Sequence, residues 1–495
     1  MTNIVYWNIQ QFGIKKIRDN SGAPATGAQV AAGAPVMTKA VAAAQRLNLI
    51  MSILREVNPD IIVIIEVGSG TTQGDLASNS GGQNGAWFLL NQLRGITVGP
   101  LIGQWRLVPP LRVAQPSTET VAVIYRAASA NGTVRYFTGP NVWSGGATGL
   151  SVQPGAAPAL AYPPRNQSML VPPGTAARGI PAASLYRGSP AGTPAANLQS
   201  EALSAARINF TSINNARKRL RNSDQVAYGK TRQPYMVTFC ETNAAGVVLR
   251  NLSLFAIHAP PQTSLARNYM NESLAFTAEI VDPPVANDNK ILLGDFNLNA
   301  LSIFGANTNE YASLVAYNYL PLINPVGMPA ANEREAYQGY FTTHIQKTPG
   351  TVDDPITEVS RFLWSDVTTA TISPYPAYRY LSLAHGTYPD TYSIDNVLVN
   401  PGVAVANNYA FTILNPITGT PFNLVGAPPN NAPIGAQALL PKFTALPLDP
   451  AGIAIPWPQS PAPAFTNNFA TAMCLWNNYG RIRSTSDHLP LFMTI

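Results

Sequence analysis

The chain has 495 residues, with 31 Lys or Arg against 25 Asp or Glu, a formal charge of +6. Charged residues are only 11% of it, against roughly 25% in ordinary soluble domains, and its 44 prolines point to long neutral loops. Two cysteines, Cys240 and Cys474, are too few for a disulfide framework, no apolar run reaches the roughly 18 residues of a membrane span, and no basic, apolar leader precedes the first strand.

Residues 3–9 read as a buried strand, and 18–37, rich in Gly, Ala, Pro and Ser, as a loop. From 38 to 57 apolar residues recur at Val41, Ala44, Leu47, Met51 and Leu54, the spacing of an amphipathic helix. Asn58-Pro59 should stop it, because proline disfavours helix in the residue before it. Residues 61–65 are continuously apolar, as expected of a strand covered on both faces. Strand-like runs follow at 121–125, 235–240 (with Cys240 as a buried thiol), 252–257, 290–293, 394–399 and 489–495, and a helix is expected over 265–281. These elements run from end to end, so the chain reads as one enlarged domain over 1–495, with insertions at about 127–231 and 401–478. Long structureless loops are uncommon in compact domains, so each insertion should carry short strands or turns against an edge of the fold.

Polar residues of one chemical kind close several of these strands. Asn8 follows Trp7, Glu66 ends IIVIIE, His258 ends LFAIH, Asp295 and Asn297 lie in GDFN, and Ser486-Asp487-His488 heads LPLFMTI. Strand-end placement lets a sheet gather them on one edge. An acid at the end of a buried strand is costly without a partner; a hard divalent cation is the natural one for Glu66, and a solvated strand-end acid is the plainer alternative. Asp295 and Asn297 alternate across Phe296 and so share a strand face. His344 and His385, the other two histidines, read as loop or surface residues.

These fragments, in this order, resemble the endonuclease/exonuclease/phosphatase superfamily, and are most similar to deoxyribonuclease I and the nuclease subunit of cytolethal distending toxins. Further islands carry the likeness: NIQQFG after the first strand, Glu119 opening ETVAVIYR, Arg232-Gln233-Pro234, and Asp395 in YSIDNVLVN. The resemblance implies an α+β fold, a four-layer α/β-β/α sandwich of two packed, mostly antiparallel sheets with long loop insertions. It implies a Mg²⁺-dependent phosphodiester hydrolase (Mn²⁺ being the alternative ion), with Asn8 and Asp487 beside Glu66 around the metal. It also implies that Glu119 orients His258, that Asp395 orients His488, that Asn297 binds a phosphoryl oxygen, that Asp295 orients water or leaving group, and that Arg232 contacts phosphate. A carboxylate on one ring nitrogen fixes the tautomer of an imidazole and raises the basicity of the other nitrogen.

Two departures bear on substrate. Where the family nuclease places minor-groove arginines, this chain has Gln10 and Gly68, and its groove-facing tyrosine falls at Ser117. Positive charge gathers instead over 201–232, where seven Lys or Arg, including Arg217, Lys218, Arg219 and Arg221, face two acids; this stretch reads either as a solvated helix face or as a phosphate-backbone surface. An isoelectric point near 9.2 points only to a polyanionic partner; the resemblance, with His258 in HAPP, its partner Glu119 and the basic patch, implies as the preferred reading an endonuclease acting on DNA. The alternatives are a phosphatase or phospholipase of the same fold, acting on phosphoinositides or sphingomyelin, and a catalytically idle binding module. The expected setting is the cytoplasm, or export by a route that leaves no leader.

Overall fold

The computed structural model describes residues 1–23, 38–68, 81–108, 113, 119–137, 141–143, 150–152, 166–168, 232, 234–245, 247–284, 288–300, 307–323, 342–343, 393–402, 409–414 and 485–495. The basic stretch at 217–221, Ser117, Cys474, His344 and His385 lie outside them.

Strand β1 (Asn3–Phe12) alternates its side chains, as the pleat requires. Ile4 and Tyr6 point one way and Val5, Trp7 and Ile9 the other. Strand β2 (Ile61–Gly68) does the same, Ile61, Val63 and Ile65 against Ile62 and Ile64. Both faces are therefore apolar, and β1 and β2 run parallel. A parallel pair needs a crossover. Helix α2 (Lys39–Val57), after the short α1 (Ile14–Ile17), supplies it and covers the outer face together with α3 (Gly81–Arg94). The threonine at 38 caps α2 through Oγ1 to the Val41 amide, 3.3 Å, and Asn58 closes it in the left-handed conformation, φ 46°. The expected stripe holds in part: Met51 and Leu54 are buried and Leu47 packs against the outer-face core, but Val41 and Ala44 are exposed while Ala42 and Ala43 are buried.

Two sheets result. In chain-order numbering, the strands used are β3 (Trp105–Leu107), β4 (Glu119–Arg126), β5 (Arg135–Phe137), β6 (Asn141–Trp143), β7 (Leu150–Val152), β8 (Asn166–Ser168), β9 (Tyr235–Thr242), β10 (Val248–His258), β11 (Asp288–Asp295), β12 (Leu320–Pro321), β13 (Asp395–Pro401), β14 (Ala410–Ile413) and β15 (Leu491–Thr494). The first sheet has the order β14-β15-β1-β2-β4-β3. The second is β12-β13-β11-β10-β9-β5, with β8 also on β9. Each has one parallel pair at its centre, β1–β2 and β10–β11, and antiparallel neighbours on either side. The two halves therefore repeat one plan, strands from the stretches read as insertions adding to the edges. Strands β6 and β7 pair separately.

Between the sheets lies a continuous apolar core, with Tyr6, Val63 and Val123 from one side meeting Phe239, Leu254 and Val397 from the other. Each such side chain contributes roughly 1.5–3 kcal/mol on burial. The expected helix over 265–281 is broken into α4 (Thr263–Asn268), a widened turn at Tyr269–Ser273, a tight turn at Leu274–Phe276 and α5 (Ala278–Val281). Thr277 leaves helical geometry (φ −86°, ψ 112°), and its Oγ1 donates to the Ser273 carbonyl at 2.9 Å. This side-chain bond competes with the helical ladder.

Gly294 sits opposite Ile257 in the parallel β10–β11 ladder, and a Cβ there would lie 2.0 Å from the Ile257 carbonyl oxygen. The next register pair is His258 with Asp295. Gly294→Ala is thus expected to cost about 1–3 kcal/mol, the usual range for overpacking, read as a fall in Tm. An unchanged Tm would show that the ladder tolerates the methyl.

Candidate active site

The polar strand ends meet at one edge of the sandwich. Two bulges shape it: the β1–β2 register shifts between Asn8 and Phe12, and the β2–β4 register between Ile64 and Val67. There Gln11 and Glu66 take left-handed backbone angles, φ 49° and 58°. The other four non-glycine residues with positive φ among those described are asparagines, which tolerate it. Such a conformation costs roughly 1–3 kcal/mol and collects at functional sites. Here it sets the Glu66 carboxylate at the mouth, where the Gln11 amide donates to its Oε2 at 3.1 Å.

Two carboxylate–imidazole pairs face each other across the edge. Glu119, opening β4 in the first sheet, takes His258 Nδ1 at 2.5 Å from the end of β10 in the second. Asp395, opening β13 in the second sheet, takes His488 Nδ1 at 2.7 Å from just before β15 in the first. Each pair therefore spans the sandwich. Both leave Nε2 facing the centre, each 3.8 Å from Asp295 Oδ2. His258 Nε2 is also 3.5 Å from Glu66 Oε1, and His488 Nε2 is 3.7 Å from Asp487 Oδ1. All these groups are buried except Glu66, which is partly open.

Burial with opposite charges sets the protonation. Burial alone would lower both imidazoles, but acids outweigh it: chiefly Glu119 for His258, and Asp395, Asp487 and Asp295 for His488, which rises to about 10. Burial would raise Glu119; His258 and Arg232 hold it below the usual carboxylate range. Asp295 goes the other way. Burial lifts it to about 7, Asp395 adding to the rise and the two histidines opposing it.

Asn8, fully buried, ties the centre together. Its Nδ2 lies 3.2 Å from Glu66 Oε1, 3.4 Å from Asp295 Oδ2 and 3.2 Å from His488 Nε2. The last contact works only with Nε2 deprotonated; with a proton there, the amide has to present oxygen instead. Among the described residues, Asn8 Oδ1 is buried without a hydrogen-bond partner. Glu66, Asp295 and His488 offer ligand atoms within 4.8 Å of one another. Two carboxylates, joined by the Asn8 amide oxygen whenever His488 Nε2 carries no proton toward it, fit a hard divalent cation.

The remaining expected residues also converge. Asn297, φ 49°, donates its backbone N–H to Asp295 Oδ1 at 2.8 Å and its Nδ2 to the Ala259 carbonyl at 2.9 Å. Arg232 is committed to the machinery itself: Nε meets Glu119 Oε2 at 2.6 Å, and Nη1 donates to the Ala259 carbonyl at 3.3 Å. Gly68 stands opposite Glu119, and a Cβ there would meet nothing closer than the Phe12 oxygen at 3.9 Å, so space does not forbid a side chain.

Three supports were not legible in the sequence. The Tyr6 hydroxyl donates to Asp395 Oδ1 at 2.8 Å, Thr342 Oγ1 to Asp395 Oδ2 at 3.0 Å, and Trp7 Nε1 to the His488 carbonyl at 2.8 Å. The signal for Tyr6 was its hydroxyl in an apolar strand, which needs a partner when buried; sequence could not name that partner. Ser486 Oγ donates to the Asn8 carbonyl and accepts from the His488 amide.

No family model and no curated protein matches the chain. It is similar to solved structures. One is D. rerio TDP2 complexed with single strand DNA product, at 8% identity and TM-score 0.35, covering 100% of this chain and 99% of that one. Another is an endonuclease/exonuclease/phosphatase family protein from Leptotrichia buccalis, at 11% and 0.33, covering 81% and 89%. A third is a beta toxin from Staphylococcus aureus, at 9% and 0.36, covering 100% and 99%. The chemistry of the site carries the functional reading.

Proposed function

We propose that the protein is a divalent-metal-dependent phosphodiester hydrolase, and specifically an endonuclease acting on DNA. The observation that carries this reading is the convergence of two buried carboxylate–imidazole pairs on Asp295, beside Glu66 and Asn8.

Phosphodiester hydrolysis needs a deprotonated water, relief of charge on the phosphoryl oxygens, and a proton or cation for the leaving oxygen. Glu66, Asn8 and Asp487 would hold Mg²⁺ or Mn²⁺, with Asp295 beside them, and the ion supplies charge relief and polarises the phosphoryl group when bound. The acids around both imidazoles favour their protonated forms, so His258 and His488 donate from Nε2, one to a non-bridging oxygen and one to the leaving oxygen. The group poised to take a proton at neutral pH is Asp295, near 7. Its Oδ1 is fixed by the Asn297 amide, which leaves Oδ2 to orient the water. The Asn297 side-chain amide stands beside the same face for a phosphoryl oxygen.

The site gathers five carboxylates, so a polyanionic substrate needs cations around it. With Gln10 and Gly68 at the groove-reading places, affinity comes from phosphate contacts, and sequence preference is low. Neutralising Z phosphates makes log K fall with log salt at a slope near −0.9Z. Plasmid nicking in Mg²⁺, in Mn²⁺ and in EDTA, run beside a phosphoinositide and sphingomyelin panel, tests the reading. Nicking that needs the ion and falls steeply with NaCl is the expected result. Changing Arg217, Lys218, Arg219 and Arg221 to Ala should flatten that salt slope. Lipid headgroup release without DNA cleavage would move the protein to the phosphatase or phospholipase branch.

A further inference from the structure

Three consecutive residues of β1 address three different points of one histidine. Asn8 meets His488 Nε2, Trp7 Nε1 holds the His488 carbonyl, and Tyr6 reaches the carboxylate that holds Nδ1. Tyr6 is the unexpected member. It lies on the inner face of β1, 1% exposed, within the apolar core between the sheets. Its hydroxyl crosses that core to Asp395, at the opening of β13 in the opposite sheet.

Asp395 is wholly buried, and its two oxygens divide their work. Oδ2 takes His488 Nδ1 at 2.7 Å and Thr342 Oγ1 at 3.0 Å. Oδ1 takes Tyr6 at 2.8 Å. A buried carboxylate oxygen without a donor is costly. Without Tyr6, the carboxylate would gain by turning Oδ1 toward the remaining donors, and the imidazole on Oδ2 would turn with it. The other pair is steadied differently: Arg232 holds the second oxygen of Glu119 from the segment before β9, at the rim rather than through the core.

We propose that Tyr6 is a positioning residue for His488: through its hydrogen bond to Asp395 across the inter-sheet core, it fixes the angle at which the imidazole presents Nε2 to the centre of the site. The catalytic consequence rests on the hydrolase reading above. The positional one does not.

The test uses Tyr6→Phe, which keeps the ring in its packed place and removes only the oxygen. The chain has four histidines, so protein labelled with ¹⁵N-histidine gives few imidazole signals, and His488→Gln assigns the Nδ1–H proton shared with Asp395. In Tyr6→Phe this low-field resonance is expected to move and broaden. On plasmid DNA, kcat is expected to fall about tenfold with KM unchanged, the size of one hydrogen bond to a charged group. Placing 4-aminophenylalanine at position 6 returns a donor at the same point and should restore both readouts in part; it also serves if Tyr6→Phe folds poorly. In an Asp395→Asn background, Tyr6→Phe should add nothing further to the loss. A resonance unmoved in folded Tyr6→Phe overturns the proposal, as does failure of the amino analogue to restore it. Because the resonance is read without substrate, absence of DNA cleavage would fail the endonuclease reading while leaving this one to be decided.

Discussion

His258→Ala and His488→Ala are each expected to lower kcat by at least ~100-fold, the usual loss on removing a general acid or base. Both imidazoles present Nε2 to the same 3.8 Å neighbourhood of Asp295 Oδ2, so neither can replace the other: a phosphoryl group between them has one on each side. Glu119→Gln and Asp395→Asn should do nearly as much while leaving the histidines in place, since each holds an Nδ1 within 2.7 Å and keeps the ring charged. Single-turnover cleavage of a supercoiled plasmid, with Tm as the folding control, checks all four. Near-wild-type turnover in both histidine variants would remove the mechanism.

The second large effect concerns the cation. Glu66→Gln should weaken Mg²⁺ by at least ~100-fold, beyond what is typical for loss of a mere supporting group, and EDTA should abolish cleavage. A signature independent of turnover accompanies this. Asp295 rises from 3.8 to about 7 in the fold, and His488 from 6.5 to about 10. In each case the folded chain keeps a proton that the unfolded chain has already lost. The stability from Asp295 is therefore present at acid pH and lost by about pH 7, and that from His488 is lost as pH rises toward about 10. Each group in transit changes stability by at most ~1.4 kcal/mol per pH unit. Metal-free protein should thus melt lower at pH 9 than at pH 6. Mg²⁺ beside Asp295 displaces the Asp295 proton, so the rise in Tm on adding it should be larger at pH 8.5 than at pH 6.5. A Tm increment that does not depend on pH would place the ion elsewhere.

Much of this site was legible because an apolar run ending in an acid, amide or imidazole is a simple signal: the run names the strand and the last residue names its edge. That logic located Asn8, Glu66, His258, Asp295 and His488. It could not pair them. Strand alternation tells which residues share a face, but not which sheet a strand joins, so the crossing of Glu119 to His258 and of Asp395 to His488 came from the family pattern rather than from periodicity. The bulge conformation of Gln11 and Glu66 was hidden because neither is a glycine or asparagine. The helix expected over 265–281 is present but irregular and interrupted for a local reason: Thr277 trades its helical geometry for a side-chain bond to Ser273. On α2 the 3.6-residue spacing found the buried Met51 and Leu54, but not that Val41 and Ala44 are exposed while Ala42 and Ala43 are buried.

The crossing of both pairs has a consequence for when the protein can act during its own folding. The partners of one pair are 139 residues apart in the chain and those of the other 93, and Asn8 meets His488 across 480. Contacts of such long range form late. Of the two pairs, a half-assembled chain with one sheet complete holds one carboxylate and one imidazole, drawn from different pairs, and neither has its mate. If the site hydrolyses phosphodiesters as proposed, its activity should therefore switch on as a single event, with the docking of the sheets and of the strand that follows His488. On the proposed hydrolase reading, a partly unfolded chain should not cleave, and loss of activity during unfolding should coincide with loss of the inter-sheet core rather than precede it.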